Sequence, residues 1–164
     1  MRTTRTLAAL LFLIGGIAFA DPARVTQPFQ GPAGDVRPAD FTLQGLDGQP
    51  VSLSRFLGKK PVLLVFWATW CPECKAAIPK INALHGGPVG ETMQILALDF
   101  REKREKVATT VKSRDIRYPV LLDERGQVAR AFAVVGIPTY VLIGRDGKVV
   151  YRGNGLPADF SRYL

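Results

Sequence analysis

The sequence predicts an α/β domain built in layers. Three observations carry that prediction: strongly apolar segments of strand length recur at 61–70, 93–100 and 118–123, helix-forming segments separate them, and Asp-Gly pairs at 47–48 and 146–147 mark two hairpin turns. Buried strands that alternate with helices pack as a sheet with helices against its faces.

The first twenty residues, "MRTTRTLAALLFLIGGIAFA", join Arg2 and Arg5 to an apolar run that ends in Ala18-Phe19-Ala20, the small-x-small pattern of a cleavage site. The run from Leu7 is short for a bilayer span, which needs about 20 residues, and two threonines separate the arginines. A signal peptide over residues 1–20, cleaved on the general export route, is expected; retention as an uncleaved inner-membrane anchor is the alternative. Both place the rest of the chain in the periplasm, where disulfides form and persist. Residues 21–39 are rich in Pro and Gly without an apolar period and read as an extended leader or tether. Residues 40–164 then have the size of one domain.

Within it, "FTLQGLDGQPVSLSRF" (41–56) alternates apolar positions on either side of Asp47-Gly48, a hairpin signal. "PVLLVFWATW" (61–70) is too apolar for a half-solvated strand and fits a central strand buried on both faces. "KAAIPKINALHG" supplies a helix with Ile78, Ile81 and Leu84 on its inner side, and Pro79 is expected to kink it rather than end it. "MQILALDF" (93–100) is a strand, followed by a charged helix through about Lys112. "YPVLLD" (118–123) is a third central-type strand and "GQVARAFAV" (126–134) a short helix. Two strands around Asp146-Gly147 close the domain, and "NGLPADFSRYL" (154–164) offers Leu156, Phe160 and Leu164 as packers.

The 22 basic residues exceed the 14 acidic ones, which favours acidic partners or anionic surfaces. The charges are scattered, however, and "REKREK" (101–106) alternates in sign as a solvated helix face does. No interleaving of aromatic and basic residues makes a nucleic-acid platform, so nucleic acid is excluded as a partner. No Gly-rich phosphate loop implies an organic cofactor, and none is expected.

Both cysteines lie in "WCPECK" (70–75). A Cys71–Cys74 disulfide closes too short a loop to constrain the unfolded chain much, so a structural clasp is a poor reading. Structural zinc wants four protein ligands; the one histidine, His85, lies at the far end of the same helix and reads as a surface or helix-end residue. Copper(I), which accepts two soft thiolates, stays open. Redox exchange fits better. A CxxC that opens a helix gives its first cysteine the orphan N–H groups and the positive end of the helix dipole, which favour thiolate over thiol. Cys71 is then the attacking, more exposed sulfur, and Cys74 the resolving one. Pro72 suits the first turn. Glu73 both complements the helix start and opposes a neighbouring thiolate, so the sign of its effect is open.

"FWATWCPECKAAIP" (66–79) together with "GIPTYVLIGRDGKV" (136–149) resembles the TlpA, ResA and CcmG type of thioredoxin-like protein, exported and often membrane-tethered thiol-disulfide oxidoreductases. The resemblance runs from about Asp40 to Gly153. It implies a thioredoxin-like fold, a central mixed β-sheet with helices on both faces; the hairpin read at 41–56 is its N-terminal β-hairpin extension, and the short C-terminal segment 154–164 departs from the longer final helix usual for that fold. It implies Cys71, Cys74 and Pro138 as catalytic residues, with Pro138 in the cis form that only about 5% of X-Pro bonds adopt. Trp67 and Trp70 would shape the apolar surface beside the disulfide, and Trp70, Pro72, Glu73 and Ile137 would meet the substrate. The partners implied are a disulfide-containing protein, such as apocytochrome c, and a membrane thiol electron donor; a monomer is expected over a dimer.

Two departures stand out. Thioredoxins carry a buried Asp where this chain has Val65, and ResA- and CcmG-type proteins carry an acid where it has Ala77. Proton transfer at Cys74 must then use water, Glu73 or another group. The expected activity is reduction of partner disulfides, with a disulfide-donating oxidase and a copper-handling chaperone or thiol reductase for copper-site assembly as alternatives.

Overall fold

The computed structural model describes residues 37–163. The signal-peptide segment 1–20, most of the 21–39 leader and Leu164 lie outside the described residues. Seven strands, β1 (Thr42–Gly45), β2 (Pro50–Ser52), β3 (Val62–Trp67), β4 (Gln94–Phe100), β5 (Val120–Asp123), β6 (Thr139–Ile143) and β7 (Val149–Gly153), alternate with helices α1 (Pro72–Gly86), α2 (Pro88–Thr92), α3 (Arg104–Ser113) and α4 (Gln127–Ala131). The strands form one mixed sheet in the order β2-β1-β5-β4-β3-β6-β7. β3 pairs in parallel with β4 and antiparallel with β6, so the strand that leads into the cysteines sits inside the sheet with a partner on either side.

Side chains of a strand point alternately to the two faces, and both faces of β3 are covered. Leu63, Val65 and Trp67 pack with Ile78 and Ile81 of α1 and Val107 of α3. Val62, Leu64 and Phe66 pack with Val128 and Ala129 of α4. This two-sided burial is the reason that the segment reads as an unbroken apolar run. At about 1.5–3 kcal/mol for each fully buried side chain, it also makes β3 a rigid base for the cysteine segment.

The N-terminal hairpin forms as expected: β1 and β2 pair antiparallel, and Gly48 takes the left-handed φ of 81° that the turn needs. α1 continues through Pro79 to Gly86. Pro79 is exposed, so its missing N–H and bulky ring fall on the solvent side. α2 is not foreshadowed by an apolar period; Pro88 at its first turn, directly after Gly87, starts it.

Beyond β7 no further helix forms among the described residues. Phe160 instead inserts into the core on the α1 side, with Leu156 and Tyr163 packed against it at the margin. No helix of the described residues is long and apolar enough to cross a membrane.

Candidate active site

β3 ends at Trp67, a short connection through Thr69 and Trp70 leads out of it, and Cys71 is the N-cap of α1, with Pro72 in the first turn. The Cys71 carbonyl accepts the first helical hydrogen bond, from Lys75 N at 3.2 Å. Its Sγ accepts from Cys74 N at 3.1 Å, as a capping side chain does. Cys71 and Cys74 are joined as a disulfide with Cα atoms 5.3 Å apart. In the reduced state the same N–H and the helix start stabilise charge on the Cys71 sulfur.

The structure corrects the expectation that Cys71 is the more exposed of the two cysteines. Cys71 and Cys74 are 2% and 3% exposed, because the capping geometry folds the first cysteine back over the helix end and into the same apolar cluster as the second. What separates them is position: Cys71 caps the helix and Cys74 lies one turn inside it.

Trp67 is corrected as well. It is buried beneath the cysteines rather than at the surface, since its place on β3 points it at α1. Trp70, by contrast, is 56% exposed. Pro72 and Glu73 are also exposed. His85 lies in the last turn of α1.

The Ile137–Pro138 peptide bond is cis. It directly precedes β6, whose Thr139 pairs with Phe66 of β3. The antiparallel pairing brings the start of β6 to the end of β3, so the Ile137-Pro138 loop and the cysteine segment, far apart in sequence, leave the sheet at the same end of these two strands. Thr139 Oγ1 donates to Gly136 O at 2.6 Å, and Asn154 Nδ2 donates to Pro138 O at 2.8 Å, fixing the loop from both sides. Ile137 is partly buried against the cluster that holds both cysteines. Val135, in the same loop, is fully exposed; with Trp70 it completes the exposed large apolar side chains among the described residues.

Sequence reasoning missed three residues here: Thr69, Glu102 and Asp99. In the sequence Glu102 belongs to a solvated charged face, yet it is buried. It precedes α3, which begins only at Arg104, and Arg101 before it takes a left-handed φ of 62°, uncommon for a residue with a side chain. That turn sends Glu102 inward. Its carboxylate accepts from Thr69 N at 2.6 Å and from Thr69 Oγ1 at 2.8 Å, tying down the connection that presents Cys71. Burial pulls the Glu102 carboxyl upward, but hydrogen bonds from Lys106 and from the Thr69 backbone and hydroxyl outweigh it and hold it below the ordinary carboxylate range. Replacing Glu102 by Ala strands the buried Thr69 amide and is expected to cost about 1–3 kcal/mol, read as a lower denaturation midpoint of the oxidised protein in urea.

Asp99 is completely buried near the end of β4 beside its register partner Trp67. No donor among the described residues satisfies either of its carboxyl oxygens. Burial raises its carboxyl to about 8, reinforced by the neighbouring Glu102, whose charge opposes a second anion and whose carboxylate favours a protonated neighbour. An acid at an inward position of an otherwise apolar strand was the available signal: Ile95, Ala97 and Asp99 share one face.

The geometry has known counterparts. Residues 34–152 match the AhpC/TSA family. The thiol-disulfide oxidoreductase ResA of Bacillus thuringiensis is 34% identical over 127 residues, which cover 76% of this chain and 73% of the relative. The ResA of Geobacillus kaustophilus is 30% identical over 166 residues, covering 99% of this chain and 94% of the relative. Among solved structures, a thiol:disulfide interchange protein of the thioredoxin family from Chlorobium tepidum superposes with a TM-score of 0.68 at 28% identity, over 81% of this chain and 96% of that one. A CxxC disulfide capping a helix beside a cis-proline loop, on a sheet shared with these enzymes, makes this chain a thiol-disulfide oxidoreductase of the AhpC/TSA family, of the thioredoxin-like ResA, DsbE and CcmG type.

Proposed function

We propose that this protein is an exported reductase of disulfides in partner proteins. The observation that carries the reading is the Cys71–Cys74 couple at the α1 N-terminus, with the exposed Trp70 next to it in the chain and the cis Ile137–Pro138 bond at the start of β6, the strand paired with the end of β3. Cys71, as thiolate, attacks one sulfur of a partner disulfide. The partner's other sulfur leaves as a thiolate, and a mixed disulfide holds the partner in the groove between Trp70 and Pro138. Cys74 then attacks Cys71 Sγ, the bond to the partner breaks, and the partner departs reduced while the Cys71–Cys74 disulfide closes.

An extended client segment pairs with the Ile137 backbone beside the cis bond, and Pro72 and Glu73 border its path. In this reading residues 1–20 direct export to the periplasm, residues 21–39 serve as leader or tether, and residues 40–164 act there as one domain. A membrane thiol donor re-reduces the couple, and apocytochrome c, whose haem-binding thiols must be free, is a fitting client.

The direction of electron flow is tested by the reduction potential of the couple, equilibrated in defined thiol buffers and read by alkylation. A potential near that of thioredoxin, about −270 mV, is expected. A potential near that of DsbA, about −120 mV, would make the protein a disulfide donor and overturn the reductase assignment.

A further inference from the structure

Resting on the proposed dithiol chemistry, we propose that Asp99 is the buried acid that exchanges a proton with the Cys71–Cys74 couple during each turnover, a role that neither Val65 nor Ala77 can fill.

The topology places it for that role. Val65 of β3 pairs in register with Ala97 of β4, and Trp67 pairs with Asp99. Val65, Trp67 and Ala97 all face the cluster that contains Cys71 and Cys74. Asp99, two residues beyond Ala97 on a strand with period 2, faces the same side. The acid is therefore moved one strand sideways and one pleat along from Val65, on the sheet face against which Cys71, Cys74 and Ile78 of the same cluster pack.

The ionisable groups that share this layer come from every element packed on it. Glu102 precedes α3 and Lys106 belongs to it, their side chains paired at 2.5 Å. Cys71 and Cys74 come from the start of α1, while Tyr118 before β5 and Tyr140 of β6 lie in the same cluster. Burial holds both tyrosines above their ordinary range, so they stay neutral where thiols titrate. Glu102 is ionised and committed to Thr69 and Lys106. Neither Asp99 oxygen has a hydrogen-bond partner among the described residues, the pull of Lys106 and the Glu102 backbone on its charge is outweighed by burial, and its raised titration near 8 matches that of a thiol, as efficient proton exchange requires.

Protons and electrons balance over the cycle. When the donor opens the Cys71–Cys74 disulfide, Cys74 leaves as a thiolate and takes the Asp99 proton, leaving a thiol and a carboxylate. When Cys74 later attacks the mixed disulfide, its S–H proton returns to Asp99, the new Cys71–Cys74 bond forms, and the electron pair of the broken bond departs on the partner sulfur. Between the two steps Asp99 equilibrates with solvent, so the fraction of it that is ionised, and with it the readiness of Cys74 to give up its proton, rises with pH.

The test is single-turnover reduction of insulin disulfides by the pre-reduced full-length protein between pH 5.5 and 9.5, comparing wild type with Asp99→Asn. Wild type is expected to show a rate step well above the ordinary carboxylate range, where the raised Asp99 carboxyl ionises. The variant is expected to lose that step and to run on the order of 10-fold or more slower at neutral pH. In a Cys74→Ser background, which reports only the first attack, Asp99→Asn is expected to change nothing.

A variant with wild-type rate and profile overturns the proposal. So does one slowed equally at every pH, which would mark Asp99 as merely structural, or one whose defect persists in the Cys74→Ser background. Circular dichroism and the urea midpoint establish that Asp99→Asn is folded. Should it not fold, Asp99→Glu decides: restoration of a step, displaced in pH, supports the proton role, and its absence with an intact fold overturns it. Failure of wild type to reduce insulin at all counts against the reductase reading instead, so the two failures are separable.

Discussion

Cys71→Ser is expected to abolish disulfide reduction, whereas Cys74→Ser is expected to trap the partner as a covalent complex. The asymmetry comes from the helix start, since the two cysteine residues are equally buried in the oxidised protein. Cys71 Sγ receives the Cys74 N–H and sits at the helix N-terminus, where an orphan amide and the dipole stabilise a thiolate. Cys74, inside the first turn, caps no helix end. Removing the nucleophile takes the rate down to that of free thiol buffer, on the order of 10³-fold or more. Removing the resolving sulfur leaves the first attack intact and blocks release. Non-reducing electrophoresis of each variant after incubation with a disulfide-bonded client reads both outcomes. A Cys71→Ser protein that forms the adduct while Cys74→Ser does not would reverse the assignment of roles.

These roles are legible in the sequence because the chemistry is local. One short stretch holds both thiols, and the apolar strand before them and the helix formers after them fix their setting without tertiary information. The Ile137-Pro138 loop is legible only through its resemblance to a family motif; nothing in "GIP" itself calls for a cis bond or says that it lies beside residue 71. That placement depends on the antiparallel pairing of β6 with β3, which sequence spacing does not encode.

Asp99 and Glu102 show the same limit from the other side. Residues 65 and 77 are Val and Ala, so neither the strand before the CxxC nor the helix after it holds an acid at the positions the family uses. The acid lies on the neighbouring strand, and its proximity to the active-site layer is a matter of strand register. Glu102 is hidden more thoroughly: in "REKREK" it looks like every other surface charge, and only the left-handed turn at Arg101 and the contact with Thr69 distinguish it. Charge patterning reports the average face of a helix. It is silent on a residue just before that helix, where the chain changes direction.

A buried carboxyl without a donor leaves a mark on stability that can be measured apart from turnover. The Asp99 carboxyl titrates near 3.8 in the unfolded chain and near 8 in the folded one, so folding favours its protonated form. Its contribution is complete below about pH 4 and is lost progressively as the pH rises to about 8, after which both states are ionised and no further loss occurs. Across that window the slope is about 1.4 kcal/mol per pH unit. Glu102, lowered rather than raised, acts in the opposite sense and only at acid pH, so the neutral window belongs to Asp99.

Urea denaturation of the oxidised protein is therefore expected to show stability falling between pH 5 and pH 8, and Asp99→Asn is expected to flatten that fall. By pH 8 the gain of the variant over wild type, relative to their difference at pH 5, is expected to be of order 3–4 kcal/mol. The substituted side chain would bring a buried amide with its own need for partners, at a cost of about 1–3 kcal/mol, but that cost is the same at every pH. The slope rather than the absolute midpoint is thus the diagnostic quantity. Parallel stability profiles for the two proteins would mean that Asp99 ionises freely in the folded state, and a carboxyl that ionises freely could not hold the proton that Cys74 needs.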